Sequence, residues 1–400
     1  MPDVFTYRLS SRSGPMSVED YRYLAKRELP SMVWAFIEYG AEDLITLDAN
    51  RNAFSRYALR TKVLTGERVK GTEVMLGGER LSLPVLLAPA GLVGLAHWTG
   101  ELGAAQAAER AGTVSVLSTA STYTLEEVAG GTERDHFFQL YPWTDPTTGR
   151  YDLTHLLIKR ARDAGFTGLF VTVDIQAHGN REGERKNGMG NPPVLTPARI
   201  ASAAIRPAWW AALLKHRRYT TRILNELAEG ESALRGVELQ TRMLGADLTW
   251  DDFSWVRDHW SGPVFVKGIL DADDAERAVA LGADGVVVSN HGGRQLDGAV
   301  ASLDALPAIA ARIGDRATVL MDGGIRRGSD VVKALCLGAD AVCIGRPYIY
   351  GAAVYGPAGV QHVIEILREE IVRVLTLMGV SRLDELGPSW LTPADAPVTL

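Results

Sequence analysis

A histidine at position 291 stands in the run Val286-Val287-Val288-Ser289-Asn290-His291-Gly292-Gly293-Arg294-Gln295, where an apolar strand gives way to polar residues. A lone histidine more often serves structure than chemistry. One that follows a buried strand, with glycines behind it and Arg294 three residues on, suits a base at the mouth of a (β/α)8 barrel. Asp174 ends a second apolar run, Leu169–Val173. A carboxylate there can hold an imidazolium, or it can simply cap the next segment. Arg181 and Arg294 fall in loops on the same face. Two guanidinium groups converging on a small space suit a carboxylate substrate, whereas on an open surface they would only be solvated. Lys267 closes the apolar strand Val264–Val266 and needs an anionic partner, which can be a phosphate, a Schiff-base substrate or an electron-rich ring. His97 and His178 read as ordinary loop histidines.

Two further strand ends carry glycine and charge. Val319-Leu320-Met321 runs into Asp322-Gly323-Gly324-Ile325-Arg326-Arg327-Gly328, and Ala341-Val342-Cys343-Ile344 runs into Gly345-Arg346. The loops after strands seven and eight are the common phosphate site of a (β/α)8 barrel. Glycines let the backbone approach an anion, and the next helix offers free N–H groups. Arg326 and Arg346 would supply countercharge. A phosphate grip with a lysine and a base nearby fits a phosphorylated cofactor. No G-x-G-x-x-G lies between a strand and a helix, which disfavours a nicotinamide enzyme.

The elements that must position these residues alternate along the chain. Eight continuously apolar runs are strand candidates: Pro84–Ala88, Thr113–Leu117, Phe137–Tyr141, Gly168–Val173, Val264–Gly268, Gly285–Ser289, Thr318–Met321 and Ala341–Ile344. Strands apolar throughout are those of a parallel sheet covered on both faces. Amphipathic helices lie between them, over Gly100–Ala111, Tyr151–Ala164, Asp271–Leu281 and Asp330–Leu337. The expected fold class is α/β, a TIM barrel of (β/α)8 type. An internal echo, Gly282-Ala283-Asp284 and Gly338-Ala339-Asp340, precedes two of the strands. Residues 1–75 read as a helical lead-in, with a capped start at Ser17-Val18-Glu19-Asp20 and a second helix over Met32–Tyr39. The barrel is expected over 76–380, with Val360–Met378 as its closing helix and 381–400 as a tail. A long insertion, about 175–248, interrupts it after strand four. Connections of that length are usually functional or mobile.

At 400 residues, with 46% hydrophobic and 22% charged residues, the chain has the make-up of a globular protein with a sizeable core. A net charge of −6 argues against a nucleic-acid partner. Cys336 and Cys343 read as packed thiols rather than a disulfide, and no metal site is expected. No charged-then-apolar leader opens the sequence, and its longest apolar run, Leu81–Ala96, is interrupted by Pro84 and Pro89. A cytoplasmic enzyme is therefore expected.

On the blocks Ser289–Asp297 and Asp322–Gly328, the chain resembles the FMN-dependent 2-hydroxy-acid oxidising family. That family includes glycolate oxidase, the lactate oxidases and monooxygenase, flavocytochrome-type lactate dehydrogenase and mandelate dehydrogenase. The likeness runs from Leu29-Pro30 and Gly40-Ala41-Glu42-Asp43 to the last helix. It implies His291 as base with Asp174 as its partner, Arg181 and Arg294 on the substrate carboxylate, and Tyr141 on the substrate hydroxyl. It places Lys267 beside the flavin ring. Pro89, Ala90, Gly91, Ser118, Gln139, Thr172 and Ser289 would lie against the flavin or its ribityl chain, and Asp322, Gly323, Gly324, Arg326, Gly345 and Arg346 around the phosphate end. The implied reaction takes both hydrogens from the C2–OH carbon of a 2-hydroxy acid, of S configuration, to give a 2-oxo acid. Electrons pass through FMN to oxygen or another acceptor such as a quinone. A homotetramer follows by the same likeness.

Three positions depart from the family's usual pattern. Phe36 stands where a substrate-binding tyrosine is usual, which points to a larger or less polar substrate, with Tyr39 one turn on as a substitute donor. A bulky residue common in short-chain oxidases is missing near Ala120. Gly91 stands where true oxidases tend to have alanine, which puts fast oxygen use in question. Alternative readings are an FMN enzyme acting on an amine or a peptide-derived intermediate, a lactate-monooxygenase-type oxidative decarboxylation, and a colourless Schiff-base barrel using Lys267. A membrane-facing role for Ile205–Arg218, which carries Trp209 and Trp210 among basic residues, competes with packing of that segment as a lid or subunit contact.

Overall fold

The computed structural model describes residues 14–394 apart from 135, 146–147, 191–192, 229–234 and 244–247. Eight parallel strands follow one another round a ring: β1 (Val85–Leu87), β2 (Val116–Ser118), β3 (Phe137–Leu140), β4 (Gly168–Thr172), β5 (Val264–Ile269), β6 (Gly285–Val288), β7 (Thr318–Asp322) and β8 (Ala341–Ile344). β8 pairs with β1, and a parallel bridge between Leu87 and Ser115 closes the barrel. All eight strands stand where the apolar runs placed them.

Each strand is buried on both faces, so its side chains divide between two cores. Those pointing inward form one layer with Leu86, Val116, Phe170, Val287 and Leu320. Phe137, Phe170 and Phe265, from β3, β4 and β5, fill the closed end with ring centroids 4.9 to 5.9 Å apart. A short hairpin, Val74–Leu76 with Glu79–Leu81, plugs that end through Leu76 and Leu81. Gly168 is required here because a Cβ on it would lie 2.4 Å from the Phe137 ring.

Those pointing outward meet the helices. The lead-in comprises α1 (Val18–Glu28), α2 (Ser31–Glu38) and α3 (Ile45–Asn52). Ser17 caps α1, its Oγ accepting from the Asp20 N–H at 3.1 Å. The ring continues with α4 (Gly100–Arg110), α5 (Leu125–Ala129) and α6 (Asp152–Asp163).

The connection from β4 to β5 is largely helical, with α7 (Glu182–Lys186), α8 (Pro197–Ala204), α9 (Pro207–His216), α10 (Arg222–Leu227), α11 (Arg235–Met243) and α12 (Trp250–Asp258). Prolines at the first positions of α8 and α9 start those helices where an N–H would be unpaired anyway. Arg218 pins the segment to the barrel by donating to both Glu127 carboxylate oxygens at 2.9 and 2.8 Å, with its guanidinium 3.8 Å from the Tyr123 ring centre.

The chain finishes with α13 (Ala272–Ala280), α14 (Ser302–Ile313), α15 (Gly328–Cys336) and α16 (Arg346–Met378), which packs on α1, α4 and α15. α16 is bent at Tyr355–Gly356, ahead of Pro357, which cannot continue the hydrogen-bond ladder.

The Gly-Ala-Asp echo has a shared mechanical role. Asp284 accepts the N–H that opens β5, from Val264 at 2.8 Å, and Asp340 accepts that of Val319 in β7 at 2.7 Å. Cys336 and Cys343 are buried and unbridged.

Replacing Phe170 with Ala opens a cavity in the barrel's closed end. A loss of about 3–5 kcal/mol is expected, read as a lower urea midpoint with unchanged denaturant slope.

Candidate active site

Strand register assembles the mouth of the barrel. Pairing sets Ser118 of β2 beside Gln139 of β3, and Thr172 of β4 beside Lys267 of β5. Past β6 the chain turns through three left-handed residues, His291 at φ +58°, Gly292 and Gly293. The Ser289 hydroxyl accepts the His291 N–H at 3.1 Å, and the ring then faces Asp174, with Nδ1 3.0 and 3.2 Å from the two carboxylate oxygens. Gly268, at φ +110°, leaves room for that carboxylate, since a Cβ there would come within 2.7 Å of it.

Burial lowers the His291 pKa below the ordinary imidazole value, although Asp174 opposes the shift. Burial also pushes the Asp174 carboxyl up, but pairing with His291 and the charge on Lys267 hold it below the carboxylate range. The ring is thus neutral near pH 7 and oriented with Nε2 free to accept a proton.

Lys267 donates to Ser289 Oγ at 2.9 Å, and its Nζ lies 2.9 Å from Asp322 Oδ2. Burial alone would lower its pKa, but Asp322 and Asp174 outweigh that and raise it. A Schiff-base lysine needs the opposite shift, so the aldolase-like alternative loses its nucleophile.

One cavity of about 310 Å³ gathers almost every residue singled out in the sequence. Its walls include Phe36, Pro89, Ala90, Gly91, Ser118, Gln139, Tyr141, Thr172, Arg181, Lys267, His291, Arg294, Asp322–Gly324, Arg326, Gly345 and Arg346. Asp174 and Ser289 stand behind this surface, holding His291 and Lys267. Four buried polar atoms of the wall have no partner among the described residues: Gln139 Nε2, Thr172 Oγ1, Asp322 Oδ1 and Arg326 Nε. Leaving each unpaired costs about 1–3 kcal/mol. They fit a flavin mononucleotide, whose ring edge, hydroxylated chain and phosphate offer matching donors and acceptors.

The four arginines divide by what already occupies them. Arg346 donates to Ile37, Gly292 and Tyr39 carbonyls at 2.9, 2.9 and 3.1 Å, stapling the end of α2 to the histidine turn. Arg294 donates to the Phe36 and Tyr39 carbonyls, and its NH2 lies 2.8 Å from Glu184 Oε1. Arg326 spends NH1 on the Ile325 carbonyl and keeps Nε unpaired. Arg181 donates to the Arg294 carbonyl and to Gln295 Oε1, both at 3.2 Å. Burial, reinforced by the charge on Arg294, lowers Arg181 to about 10, the mark of a cation short of an anion.

Tyr141 is buried and stacked on Trp143 at 5.1 Å, and burial keeps its phenol protonated as a donor. Phe36 reaches the cavity from α2, and the Arg294 guanidinium lies 5.2 Å from its ring centre. Tyr39 does not stand in for a tyrosine at 36: its ring packs against Gly183 and it is absent from the cavity wall. Gly91 and Ala120, noted as separate departures, meet at one contact, since a Cβ on Gly91 would lie 2.8 Å from Ala120 Cβ.

Four site residues were missed. His178, read as an ordinary loop histidine, lines the cavity. Gln295 donates to the Asp174 and Ala177 carbonyls at 2.7 and 2.9 Å. Asn50 and Asn290 exchange side-chain amide bonds at 2.8 Å in both directions, tying α3 to the turn before His291. Asn290 and Gln295 lie in the His291 block itself, which was the one available signal.

Fold and site together define a flavin-nucleotide barrel oxidoreductase with a histidine–carboxylate pair at its mouth. Comparison with known proteins agrees. The family model described as FMN-dependent dehydrogenase matches residues 25–393. The L-lactate oxidase of Nostoc sp. is 43% identical over 387 residues, covering 96% of this chain and 100% of that protein. The L-lactate dehydrogenase of Pseudomonas paraeruginosa is 40% identical over 373 residues, covering 92% and 96%. A solved structure of (S)-mandelate dehydrogenase, described as a monotopic membrane protein, superposes with a TM-score of 0.89 at 35% identity, covering 95% of this chain and 100% of that one. The chain belongs to the FMN-dependent dehydrogenase family and is an FMN-dependent oxidoreductase of 2-hydroxy acids.

Replacing Arg326 with Met removes the guanidinium whose Nε is unpaired at the cavity wall. FMN affinity, measured by quenching of flavin fluorescence, is expected to fall about ten- to hundredfold, the worth of a hydrogen bond to a charged group.

Proposed function

We infer that His291 is the base that takes the hydroxyl proton of a 2-hydroxy acid, while Arg181 and Arg294 hold the acid's carboxylate. The observation that carries this reading is a neutral, carboxylate-oriented imidazole lining the same cavity as a buried arginine short of an anion. Arg294 faces Glu184 and Arg181 donates to neutral oxygens, which leaves Arg181 able to take a substrate carboxylate. Tyr141 donates to a lone pair of the substrate hydroxyl oxygen and so turns the O–H toward His291. Asp174 keeps Nε2 as the accepting nitrogen and stabilises the imidazolium once the proton has moved.

Bound FMN supplies the two-electron acceptor for the hydrogen on C2. Ser118, Gln139 and Thr172 would hold its ring, with Pro89, Ala90 and Gly91 beneath it and the Lys267 ammonium beside it. Asp322 would hold the hydroxylated chain. Gly323, Gly324, Arg326 and the α16 start at Gly345-Arg346 would hold the phosphate. The product is a 2-oxo acid, and lactate and mandelate, handled by the named relatives, mark the substrate range to try first. The reduced enzyme passes its electrons to a quinone in preference to oxygen, a reading supported by Gly91. A cytoplasmic homotetramer is the further reading, resting on family likeness.

The deciding experiment is anaerobic bleaching of the flavin by a panel of S and R 2-hydroxy acids. His291→Gln is expected to stay yellow and lose at least a thousandfold in bleaching rate, since cofactor grip and proton removal are separate tasks. Near-normal bleaching in that variant overturns the assignment. Because the base must be neutral, the wild-type rate is expected to be flat at neutral pH and to fall as acid protonates His291. The acid limb should lie below the ordinary imidazole value of about 6.5, because the lowered pKa sets its position.

A specific surface favours a second reading, contact with a membrane. Leu195, Ile205 and Leu214 are 64%, 75% and 68% exposed on the insertion, close in sequence to Arg199, Arg206, Lys215 and Arg217. Among the described residues no helix is long and apolar enough to cross a bilayer. Trp209 is committed elsewhere, donating to the Leu95 carbonyl at 2.8 Å, so the anchor is the exposed aliphatic face. Flotation with anionic vesicles is expected for the wild type and lost in Ile205→Asp/Leu214→Asp. A wild type that stays at the bottom of the gradient removes this reading.

A further inference from the structure

A second cavity, about 890 Å³, lies between α2 and the insertion helices α7, α8, α9 and α11. The two cavities share wall residues, among them Phe36, Leu92, His178, Arg181 and Val237. Its interior is apolar, with Val33, Leu95, Met189, Ile200, Ala203 and Leu213 on its walls. The charged residues at its edge are answered by protein. Arg199 donates to the Val194 and Lys186 carbonyls at 2.8 Å, Arg185 donates to Asn180, and Glu184 faces Arg294. Arg181, at the neck, donates to the Arg294 carbonyl and to Gln295, and burial lowers its pKa. Folded chains do not keep so large an apolar space without cost, and such walls hold water poorly. The volume lies in the range of cavities that enclose a small organic ligand.

Substrate geometry says what enters it. The reacting carbon carries four groups. Arg181 takes the carboxylate, His291 the hydroxyl, and the hydrogen faces the floor of Gln139, Thr172 and Lys267. The fourth group must leave by the remaining opening, which is the neck at Phe36, Leu92 and Val237. A phenyl ring rather than a phenol at 36 keeps that neck free of a hydroxyl.

We propose that this antechamber receives the side chain of the substrate, and that the enzyme's preferred substrates are 2-hydroxy acids with an extended apolar substituent. The proposal rests on the 2-hydroxy-acid reading above. Leu95, Ala203 and Leu213 are then specificity-determining residues that touch neither cofactor nor reacting atoms.

The test is anaerobic flavin reduction of the holoenzyme by 2-hydroxypropanoate, 2-hydroxyhexanoate, 2-hydroxyoctanoate and 2-hydroxydecanoate. The second-order rate constant should climb by about fourfold per added methylene beyond four carbons, until the antechamber fills. A flat or falling series, with 2-hydroxypropanoate still reducing the flavin, overturns the antechamber and leaves the catalytic reading standing. Reduction by none of the acids overturns the catalytic reading itself. Ala203→Trp fills the chamber and should cut the ratio of the decanoate to the propanoate constant at least tenfold; an unchanged ratio in a yellow, folded variant overturns the proposal. Should that variant fail to fold, wild-type inhibition by plain alkanoic acids decides. Decanoate should inhibit at least a hundredfold more tightly than butanoate, and equal inhibition overturns it. A decyl-substituted benzoquinone that displaces decanoate while the hydroxy-acid series stays flat assigns the chamber to the electron acceptor instead.

Discussion

The hydrogen bond between His291 and Asp174 is the contact on which the rest of the site depends, and neither partner could make it alone. Asp174 sits where β4 ends and His291 where β6 ends, so their meeting requires the closed barrel that keeps those ends near each other. It also requires a turn that few sequences can make. Three successive residues with positive φ follow Asn290, and the first of them is the histidine itself. An imidazole-bearing residue held in that conformation stores strain, which surrounding contacts must outweigh. The Asn50–Asn290 amide pair, the Ser289 hydroxyl and Gln295 on the Asp174 carbonyl supply those contacts. Orientation of the base is therefore bought by polar bonds to α3 and the insertion as much as by the barrel.

Charge at the barrel mouth follows the same logic of burial and partnership. Asp322, with Asp174, supplies the negative charge that lets Lys267 keep its proton in a site where burial alone would lower its pKa. Arg346 neutralises no acid, and three carbonyls bind it instead. Residue type alone would assign all four arginines to anion binding. Partners distinguish them: Arg294 faces Glu184, Arg346 and Arg181 are held by neutral oxygens and burial lowers both to about 10, and Arg326 keeps Nε unpaired.

Much of this was legible before any coordinates. Parallel strands covered on both faces must be apolar throughout, so all eight could be found from runs such as Gly285–Ser289 and Ala341–Ile344. Strand ends carry the chemistry of such a barrel, so His291, Asp174, Lys267 and Asp322 could be named from their positions. The insertion was legible only as a length. Its helices are short and several lack side-chain caps; α8 and α9 turn apolar residues toward α2 and the loop after β1, while α10 and α11 pack on Tyr141 and Trp143. No local periodicity encodes a partner that distant. Tyr39 failed as a substitute donor for a related reason: one helical turn suggested nearness to Phe36, but α2 ends at Glu38 and the ring turns onto Gly183. His178 was missed because a histidine in an irregular segment carries no pattern, and only tertiary packing brings it to the cavity.

Glu184 shows how the insertion and the barrel answer to each other. It stands on α7, outside the barrel, yet its carboxylate is the protein's own counterion for Arg294, at 2.8 Å but without an aligned hydrogen bond. A short contact without alignment gains Coulomb energy while leaving the acceptor's directional bond unmade, so it is more readily exchanged than a paired fork. On the proposed reading, a substrate carboxylate beside Arg181 would compete for the same two guanidinium groups, and Glu184 would then yield or share. α7 carries Glu184 and lines the antechamber too, so the acid group at one end of a substrate and the chain at the other press on a single short helix. On the proposed reading, recognition of head and tail would be coupled through that helix. Variation in this insertion can therefore change substrate preference while the eight strands and the flavin-binding loops stay as they are.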